Sequence, residues 1–344
     1  MGLSVTIKDV ARQANVSVAT VSRALNGHEN VADAVRTRVL AVAKELRYSP
    51  HHAARSLSSR RTNTIGVVLP DLYGEFFSEL MRGIDQVARD HRQHLLVSSY
   101  HGNPQEQAEA LRTMRGRVDG LLVLSPYASD ASHLAENLSP SQPAVLINSQ
   151  TLGTGVPSLS IDNYRAAGEM VRHLGAGGRR RIAFIAGPSD NFDARDRLRG
   201  YCDALAESVP GAEPWVVQGD FSEATGHSAA RQLLIGSPRP DAVFAANDMM
   251  ALGFLFACQQ AGVNVPGEIA VAGFDDIPLA RYTHPSLTTM RVDIAGIGAQ
   301  AMRMLLQHLG DAPETPGTSE TLQANLIVRE STTAVPARAV PESG

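Results

Sequence analysis

The chain has 344 residues, 43% of them hydrophobic, which is enough to build two or three domains and excludes an intrinsically disordered protein. No stretch approaches the roughly 18 apolar residues of a membrane helix, and Met1 to Asp9 lacks the pattern of a secretion signal, so we expect a cytoplasmic protein without a membrane partner. The net charge of −4 is uneven, because residues 1–61 carry ten Lys+Arg against four Asp+Glu, a net +6 that leaves −10 for the rest. This asymmetry suits a cationic head that binds phosphates and an acidic body that does not.

Residues 6–26 predict two short helices joined by a tight turn. The apolar residues between 7 and 14 recur at helical spacing, and Thr6 with Asp9 can form a capping box. Asn15 tolerates the left-handed backbone of a sharp turn, and Ser17 is a good cap for a second helix. The pattern predicts a helix-turn-helix that reads DNA, although the spacing alone also allows an ordinary helical hairpin.

The second helix should bury Val21, Ala24 and Leu25 and leave a face of small residues with one guanidinium outside. That outer face comprises Val18, Ala19, Ser22, Arg23 and Asn26. Such a face fits the major groove, where Arg23 could pair with guanine and the methyl groups of Val18 and Ala19 could touch thymine methyls.

A third amphipathic helix, with apolar residues at i, i+4, i+7 and i+11 from Val35, should complete a head that spans 1–49. Residues 50–61 are polar, small and basic, with Leu57 as the single large apolar residue. They are too short to own a core, so we expect a flexible hinge without DNA and, as the sharper hypothesis, a helix that forms only on the duplex. A body at 62–333 and a loose tail at 334–344 would follow.

The body alternates short apolar runs with longer amphipathic helices. The predicted strands are 65–69, 94–99, 120–124, 144–148, 181–187, 215–220, 242–247 and 269–275. Near-continuous apolar strands interleaved with helices are typical of parallel sheets covered on both faces, and two such series predict two α/β lobes. Residues 287–333 should add a strand, a helix and a last strand around 326–328.

Polar or aromatic residues follow many of these predicted strands. They are Asp71 to Phe77, Asn148, Asn191 to Arg197, Phe221, Asn247, Asp248, Asp275 and Asp276. Each of them alone is more often a helix cap than a ligand-binding residue. Ligands of parallel α/β sheets bind beyond the carboxyl ends of the strands, so the recurrence of such residues there favours a cleft.

Several blocks of sequence, in a fixed order, resemble the lactose-repressor and galactose-repressor family of bacterial regulators, to which the purine repressor also belongs. The blocks are TIKDVARQANVSVATVSRALNG, ARSLSSRRTNTIGVV, VDGLLV, SIDN, RAAG, FIAGP, RLRGY, VFAANDMMALG, VAGFDD and PSLTTMRV, which run from about Thr6 to Thr332. The resemblance implies a three-helix DNA-binding head, a hinge, and a core like a periplasmic sugar-binding protein with two lobes joined by three crossovers. The lobes would comprise about 62–161 with 292–320, and about 162–291 with 321–333.

The resemblance assigns roles in DNA binding. Val18 and Ala19 match the pair that chiefly sets the operator sequence, and Arg23 matches the base-contacting arginine. Leu57 matches the hinge leucine that in relatives wedges into the minor groove with its dimer mate and kinks the DNA. The residues expected to bind DNA are Thr6, Ser17, Val18, Ala19, Thr20, Ser22, Arg23, Asn26, Ala54 and Leu57.

The resemblance also implies an effector pocket. Its residues would be Phe76, Phe77, Asn148, Asn191, Asp193, Arg197, Phe221, Asn247 and Asp275, with Arg195 and Asp248 beside them. Arg197, Asn247 and Asp275 are the favoured polar set, because a forked donor and short acceptors can hold adjacent hydroxyls. Phe221 would stack on the apolar face of a sugar.

Two positions depart from the family's pattern. Asn148 replaces an Asp that is common in sugar-binding relatives, which exchanges an acceptor-only carboxylate for an amide with donors and acceptors and leaves the effector's identity open. Ala32 stands where a Ser often caps the third helix, so Asp33 takes that role or the helix begins later.

These features predict a homodimeric transcription regulator, expected to be a repressor, that binds double-stranded operator DNA under the control of a small effector. A sugar is favoured over a purine, the sign of the response is open, and the dimers could pair into tetramers. A secreted ligand carrier would explain the body but has no use for a +6 head. An α/β enzyme finds no support from G-x-G-x-x-G after the first strand, G-x-S-x-G, G-x-x-x-x-G-K-[ST] or H-E-x-x-H, and no cofactor or metal is expected.

Overall fold

The computed structural model describes residues 5–25, 30–48, 61–127, 131–149, 155–310 and 319–333. The chain divides into two units, a head that ends at Thr62 and a body that begins at Asn63. Asn26, Ala54, Leu57, nearly all of the predicted hinge and the whole predicted tail lie outside the described residues.

The described part of the head contains three helices, α1 (Ile7–Ala14), α2 (Val18–Leu25) and α3 (Asp33–Glu45). Their apolar stripes meet in a small core centred on Val10, Val21 and Val39, which are fully buried. The predicted inward positions of α2 therefore form the core of the head.

The predicted turn chemistry of the head is confirmed. The Asp9 Oδ2 accepts hydrogen bonds from the Thr6 backbone N–H (2.9 Å) and hydroxyl (2.7 Å). Asn15 adopts the left-handed conformation, with φ 53° and ψ 50°, and the Ser17 Oγ accepts from the Thr20 N–H at 3.1 Å. Helix α3 begins at Asp33 after Ala32, which supplies no side-chain hydrogen bond to that end of the helix.

The body consists of strands in two sheets, covered by helices. The strands are β1 (Thr64–Leu69), β2 (His94–Ser99), β3 (Gly120–Leu124), β4 (Ala144–Ile147), β5 (Ser158–Ile161), β6 (Ile182–Ala186), β7 (Trp215–Gln218), β8 (Ala242–Ala245), β9 (Ala270–Asp275), β10 (Thr288–Arg291), β11 (Ser319–Leu322) and β12 (Asn325–Ile327). The helices are α4 (Glu75–Asp90), α5 (Pro104–Met114), α6 (Ala131–Asn137), α7 (Asn163–Ala176), α8 (Phe192–Ser208), α9 (Glu223–Ile235), α10 (Asp248–Gln260) and α11 (Ile294–Leu309), with a 3₁₀ turn at Pro278–Arg281.

The two sheets repeat one topology. The first has the order β2-β1-β3-β4-β5-β11 and the second β7-β6-β8-β9-β10-β12. The described strands pair in parallel, except that β12 is antiparallel to β10. In each sheet the chain winds outward in both directions from the first two central strands, β1 and β3 or β6 and β8, so each sheet has a switch point there.

The eight predicted body strands are all present, with bounds that agree within two residues. Strands β5 and β11 were not predicted, because SLSI and SETL lack an apolar run; β5 pairs with β4, and β11 joins the sheet by pairing with β5 across about 160 residues. The predicted lobe boundary near residue 320 falls inside β11, so the first lobe extends through Leu322. Coverage on both faces is wrong for the edge strand β2, where Leu96 and Val97 are exposed.

Close helix packing covers the sheets. Helix α4 contacts α11 across Gly83 and Gly298, and a Cβ on Gly83 would overlap the carbonyl of Ala295. A Cβ on Gly298 would likewise overlap the carbonyl of Leu80. The first lobe therefore depends on glycine where the backbones of these helices touch.

We expect Gly83→Ala to lower the free energy of unfolding by about 2–3 kcal/mol, because the backbone of Ala295 cannot yield to a methyl group without moving the helix. Urea denaturation of the full chain measures this effect. Gly168→Ala in α7 is the matched control, since its methyl would meet the flexible end of Arg172 and would lie at an ordinary contact distance of 3.5 Å from the Ala204 Cβ. The control should be neutral or stabilising by up to about 1 kcal/mol, and equal losses in both variants would contradict the packing argument.

Candidate functional site

The head presents one face of α2 that is built from small side chains. Val18 is 41% exposed, Ala19 and Arg23 are exposed, and Ser22 is half-buried. The hydroxyls of Ser17 and Thr20 lie 2.9 Å apart at the start of the helix, and Thr6 is exposed at the start of α1. A helix that exposes small residues and one guanidinium has the shape and donors needed to enter the DNA major groove.

The body contains a cavity of about 100 Å³ between the two lobes. Its wall comprises Pro70, Phe76, Phe77, Leu124, Pro126, Tyr127, Asn148, Asn191, Asp193, Arg197, Phe221, Asn247 and Asp275. Pro70 and Pro126 follow β1 and β3, and Asn191 and Asn247 follow β6 and β8. The cavity therefore lies where the switch points of the two sheets face each other, the place at which open α/β sheets bind ligands.

Arg197 on α8 is the buried cation of the cavity, with 4% of its surface exposed. Its Nε donates to the Asn163 Oδ1 at 2.8 Å and its Nη1 to the Ala246 carbonyl at 2.5 Å. Its Nη2 lies 3.5 Å from the Asp275 Oδ1, and the guanidinium stacks 3.7 Å above the Phe274 ring. These contacts hold the donor fork in one orientation.

Two buried oxygens in the wall lack a hydrogen-bond partner within the described part of the chain. They are the Oδ1 atoms of Asn148 and Asp275, residues that are 5% and 4% exposed. An unpaired buried acceptor costs about 1–3 kcal/mol, so a cavity that holds two of them favours a ligand with hydroxyl or amide donors.

Three residues of the wall have left-handed backbone conformations at or just after the ends of strands. Asn148, Phe221 and Asp275 have φ values of 44°, 72° and 114°. Such conformations cost about 1–3 kcal/mol for residues other than glycine, and they concentrate at ligand-binding sites. Here they turn the side chain or backbone that follows each strand toward the cavity.

Burial raises the pKa of both carboxyl groups of the cavity. Desolvation raises the pKa of Asp275 to about 7, although the neighbouring Arg197 opposes that shift. Desolvation also raises the pKa of Asp193 to about 6, while Arg197 and hydrogen bonds from Asn148 and Asn163 oppose it. The two carboxyls therefore titrate near neutral pH.

Nine of the predicted effector residues line the cavity, and two do not. Arg195 points away from it, is exposed, and stacks on Phe192 with its guanidinium 4.6 Å from the ring centre. Asp248 is fully buried behind the wall, where its carboxylate accepts from the Thr289 hydroxyl (2.6 Å) and the Ile277 N–H (3.0 Å). These two residues, expected beside the pocket, are therefore not part of the cavity wall: Arg195 is exposed on α8, and Asp248 joins β10 to the loop at Ile277.

Several wall residues also serve as helix caps, which the sequence analysis treated as the alternative to binding. The Asn191 Oδ1 accepts from the Ala194 N–H, and the Asn247 Oδ1 accepts from the Met250 N–H, each at 3.0 Å. The Asn247 amide also donates to the Phe221 carbonyl at 2.9 Å. Capping and cavity lining are thus compatible, because the helices begin at the edge of the cavity.

Some residues that build the cavity were not predicted from the sequence. Tyr127, Pro126, Pro70 and Leu124 line it. Asn163, buried beside it, bridges Asp193 and Arg197. Its place in the SIDN block and the position of Tyr127 just after an apolar strand were the available signals.

Direct contacts join the two lobes around the cavity. The Asn148 amide donates to the Asp193 Oδ2 at 2.9 Å, and the Phe192 N–H donates to the Pro126 carbonyl at 2.9 Å. At the outer edge the Tyr73 hydroxyl donates to the Glu223 Oε1 at 2.9 Å. The lobes are therefore closed on the cavity.

Two other kinds of site find no support in the described ranges. No cluster of three or more His, Cys, Asp or Glu among those residues is arranged to hold a metal ion. None of the helices described there has the length and apolar character needed to cross a membrane.

Comparison with known proteins agrees with both units. Residues 6–51 match the family model for bacterial regulatory proteins of the lacI family, and residues 171–332 match a periplasmic binding protein-like domain. The transcriptional repressor CytR of Escherichia coli is 37% identical over 339 residues, which cover 96% of this chain and 97% of CytR.

Solved structures agree over nearly the full length. The lac repressor dimer bound to operator and the anti-inducer ONPF has a TM-score of 0.84 at 30% identity, covering 96% of this chain and all of that one. The complex of the transcriptional regulator CelR with cellobiose has a TM-score of 0.68 at 32% identity, covering 95% and 99% of the two chains.

We expect the stability of the unliganded protein to fall as the pH rises from 5 to 8. Because the folded-state pKa of Asp275 exceeds the unfolded value of about 3.9, its contribution is complete below pH 4 and is lost as the pH rises through 7. Urea unfolding should show that Asp275→Asn reduces this decline by about 1–2 kcal/mol. The exposed Asp90→Asn should keep the full decline, and an unchanged decline in Asp275→Asn would refute the raised pKa.

Proposed function

Because the chain belongs to the lacI family of bacterial regulatory proteins, we propose that it is a cytoplasmic repressor whose affinity for its operator is set by a sugar or sugar derivative in the interlobe cavity. It is a sequence-specific DNA-binding transcription regulator and not an enzyme. Its partners are operator DNA, a small effector and a second copy of the chain. The two copies form a homodimer that binds a pseudo-palindromic site.

The observation that carries the effector proposal is the pair of buried acceptors without a hydrogen bond, the Oδ1 atoms of Asn148 and Asp275, of which the second has only the 3.5 Å ion-pair contact with Arg197. A sugar ring offers adjacent hydroxyls that can donate to both oxygens, and its C–H faces can pack on Phe76, Phe77 or Phe221. A purine offers fewer donors and has no adjacent hydroxyls. The aromatic walls and paired acceptors together favour the sugar.

For the head we propose a division of roles along α2. Val18 and Ala19 contact base methyls, Arg23 pairs with a guanine, and Thr6, Ser17, Thr20 and Ser22 contact phosphates or bases. Asn26, Ala54 and Leu57 complete this proposal from the sequence resemblance. The exposure of Val18 and Ala19 on α2 supports the proposal, since these small side chains leave room for the base edges at the floor of the groove.

Regulation requires the effector to bind the DNA-competent and DNA-incompetent arrangements with different affinities. The Asn148–Asp193 and Pro126–Phe192 hydrogen bonds join the lobes beside the cavity, so a ligand that contacts both walls alters the balance between open and closed lobes. The sign of the response is set by which arrangement the DNA prefers.

We expect Arg23→Ala to remove the preference for operator over random DNA and to leave only salt-sensitive, nonspecific binding. Electrophoretic mobility shift at two salt concentrations measures both properties. Arg23→Lys keeps the charge but loses the planar fork, so it should keep the salt dependence and lose most of the specificity. Equal affinity of the unmutated protein for operator and random duplex would overturn the regulator's proposed mode of binding.

We expect Asn148→Ala to weaken binding of an effector sugar at least tenfold. The substitution removes an acceptor that the protein offers to the ligand, and it also removes the hydrogen bond that joins the lobes at Asp193. A panel of mono- and disaccharides is first screened by thermal shift, and calorimetry then compares the variants. Arg195→Ala is the control, since Arg195 lies outside the wall, and it should bind within twofold of the unmutated protein. Stabilisation by purines alone would show that the carbohydrate proposal is wrong.

A further inference from the structure

A second, larger space continues outward from the cavity. This space of about 510 Å³, here called the vestibule, shares Phe76, Phe77, Tyr127 and Phe221 with the inner cavity. Tyr73, His101 and Gly102 line it farther out. An aromatic collar thus joins a small inner chamber to a roomier outer one.

The wall of the vestibule is acidic. Asp71, Asp190 and Asp220 line it, and no Lys or Arg does so within the described chain, where His101 is its one basic side chain. Hydrogen bonds from Ser222 and Thr225 hold the pKa of Asp220 below its usual value against the opposing effect of burial, so this carboxylate stays charged at neutral pH. Both lysines of the sequence, Lys8 and Lys44, belong to the head.

The inner cavity offers no free cation to an anionic ligand. Arg197 is the single Lys or Arg among the described residues of its wall, and its three nitrogens already face Asn163, Ala246 and Asp275. A phosphate or carboxylate placed there would meet Asp275 and Asp193 and would have to displace one of these contacts. Such a ligand would lose its hydration without gaining a charged partner.

Helix N-termini are the other feature that attracts anions, and here they carry acidic residues. Helices α4, α8 and α10 begin at the cavity, and their first turns contain Glu75, Asp193 and Asp248 respectively. The Asn191 and Asn247 side chains already accept from the first turns of α8 and α10. The first turns of α8 and α10 therefore already have acceptors within the protein.

From this arrangement we propose that the effector is an uncharged two-ring glycoside, with its sugar ring in the inner cavity and its second ring in the vestibule. The inner chamber, about 100 Å³ against about 510 Å³ for the vestibule, can take at most one ring, and the collar of Phe76, Phe77, Tyr127 and Phe221 leads from it to the vestibule. Phosphorylated and acidic sugars are disfavoured by the carboxylates of Asp71, Asp190 and Asp220 in the vestibule and by the engagement of Arg197 in the inner wall. A disaccharide and a nucleoside both supply this chemistry, and the inference rests on the proposed carbohydrate effector.

The test is a thermal-shift and calorimetry panel on the full chain. Each sugar is offered as the free monosaccharide, its phosphate, its uronic or aldonic acid, and its neutral disaccharides, with ribonucleosides and their 5′-monophosphates as a separate arm. We expect a neutral disaccharide or a nucleoside to bind at least tenfold more tightly than its own monosaccharide, and the phosphorylated and acidic counterparts to bind at least tenfold more weakly.

A charge reversal in the vestibule tests the cause of the exclusion. Asp190→Lys should improve binding of the phosphorylated counterpart about three- to tenfold relative to binding of the neutral glycoside by the same variant. Asp90→Lys is the matched control, because Asp90 ends α4 about 22 Å from its first residue at the cavity and is screened by salt. It should change neither affinity.

The outcomes separate the inference from the proposal beneath it. Tighter binding of a phosphorylated or acidic sugar, or of a monosaccharide over all its glycosides, would overturn the two-ring neutral effector and leave a carbohydrate-controlled repressor standing. A panel in which no carbohydrate or nucleoside binds would overturn both.

Discussion

One buried guanidinium organises the second lobe's half of the effector cavity. Arg197 cannot remain charged inside the protein without partners, so Asn163 on α7, the Ala246 carbonyl after β8 and Asp275 at the end of β9 must all stay within reach of it. In this arrangement the Asp275 Oδ1 lies 3.5 Å from the Arg197 Nη2 and accepts no hydrogen bond, although Asp275 lines the cavity. Stability and recognition thus depend on the same pair of charges.

The repeated topology explains why a site forms between the lobes. Each sheet turns its switch point toward the other, so the residues that cap helices in one lobe face the aromatic residues of the other across the cavity. The lobes are joined there by few and exchangeable contacts, such as Tyr73 with Glu223 and Asn148 with Asp193. A ligand that touches both walls can therefore shift their arrangement at modest cost.

The distribution of charge separates two kinds of partner. The head holds both lysines and a net +6, which suits the phosphates of DNA, whereas the described residues that line the cleft of the body include several carboxylates and one arginine, Arg197, which is already engaged. The cleft would repel an effector that carried phosphate, whereas the head attracts the phosphates of DNA. A neutral effector does not compete with DNA for cationic side chains, so it can affect DNA binding only through the arrangement of the lobes.

Local structure could be predicted from the sequence, whereas hydrogen bonds between distant residues could not. The caps at Thr6 and Ser17, the left-handed Asn15 and the apolar strands follow from residue type and short spacing, and nine cavity residues follow from the resemblance together with the rule that ligands bind at strand ends. Tertiary structure decided that Asp248 joins β10 to the loop at Ile277 behind the wall and that Asn163 holds Arg197, because their partners lie 29 to 41 residues away and no local pattern encodes them. The reading helix was therefore determined by sequence alone, while the chemistry of the cavity depends on which distant side chains fill each other's hydrogen bonds and which are left for a ligand.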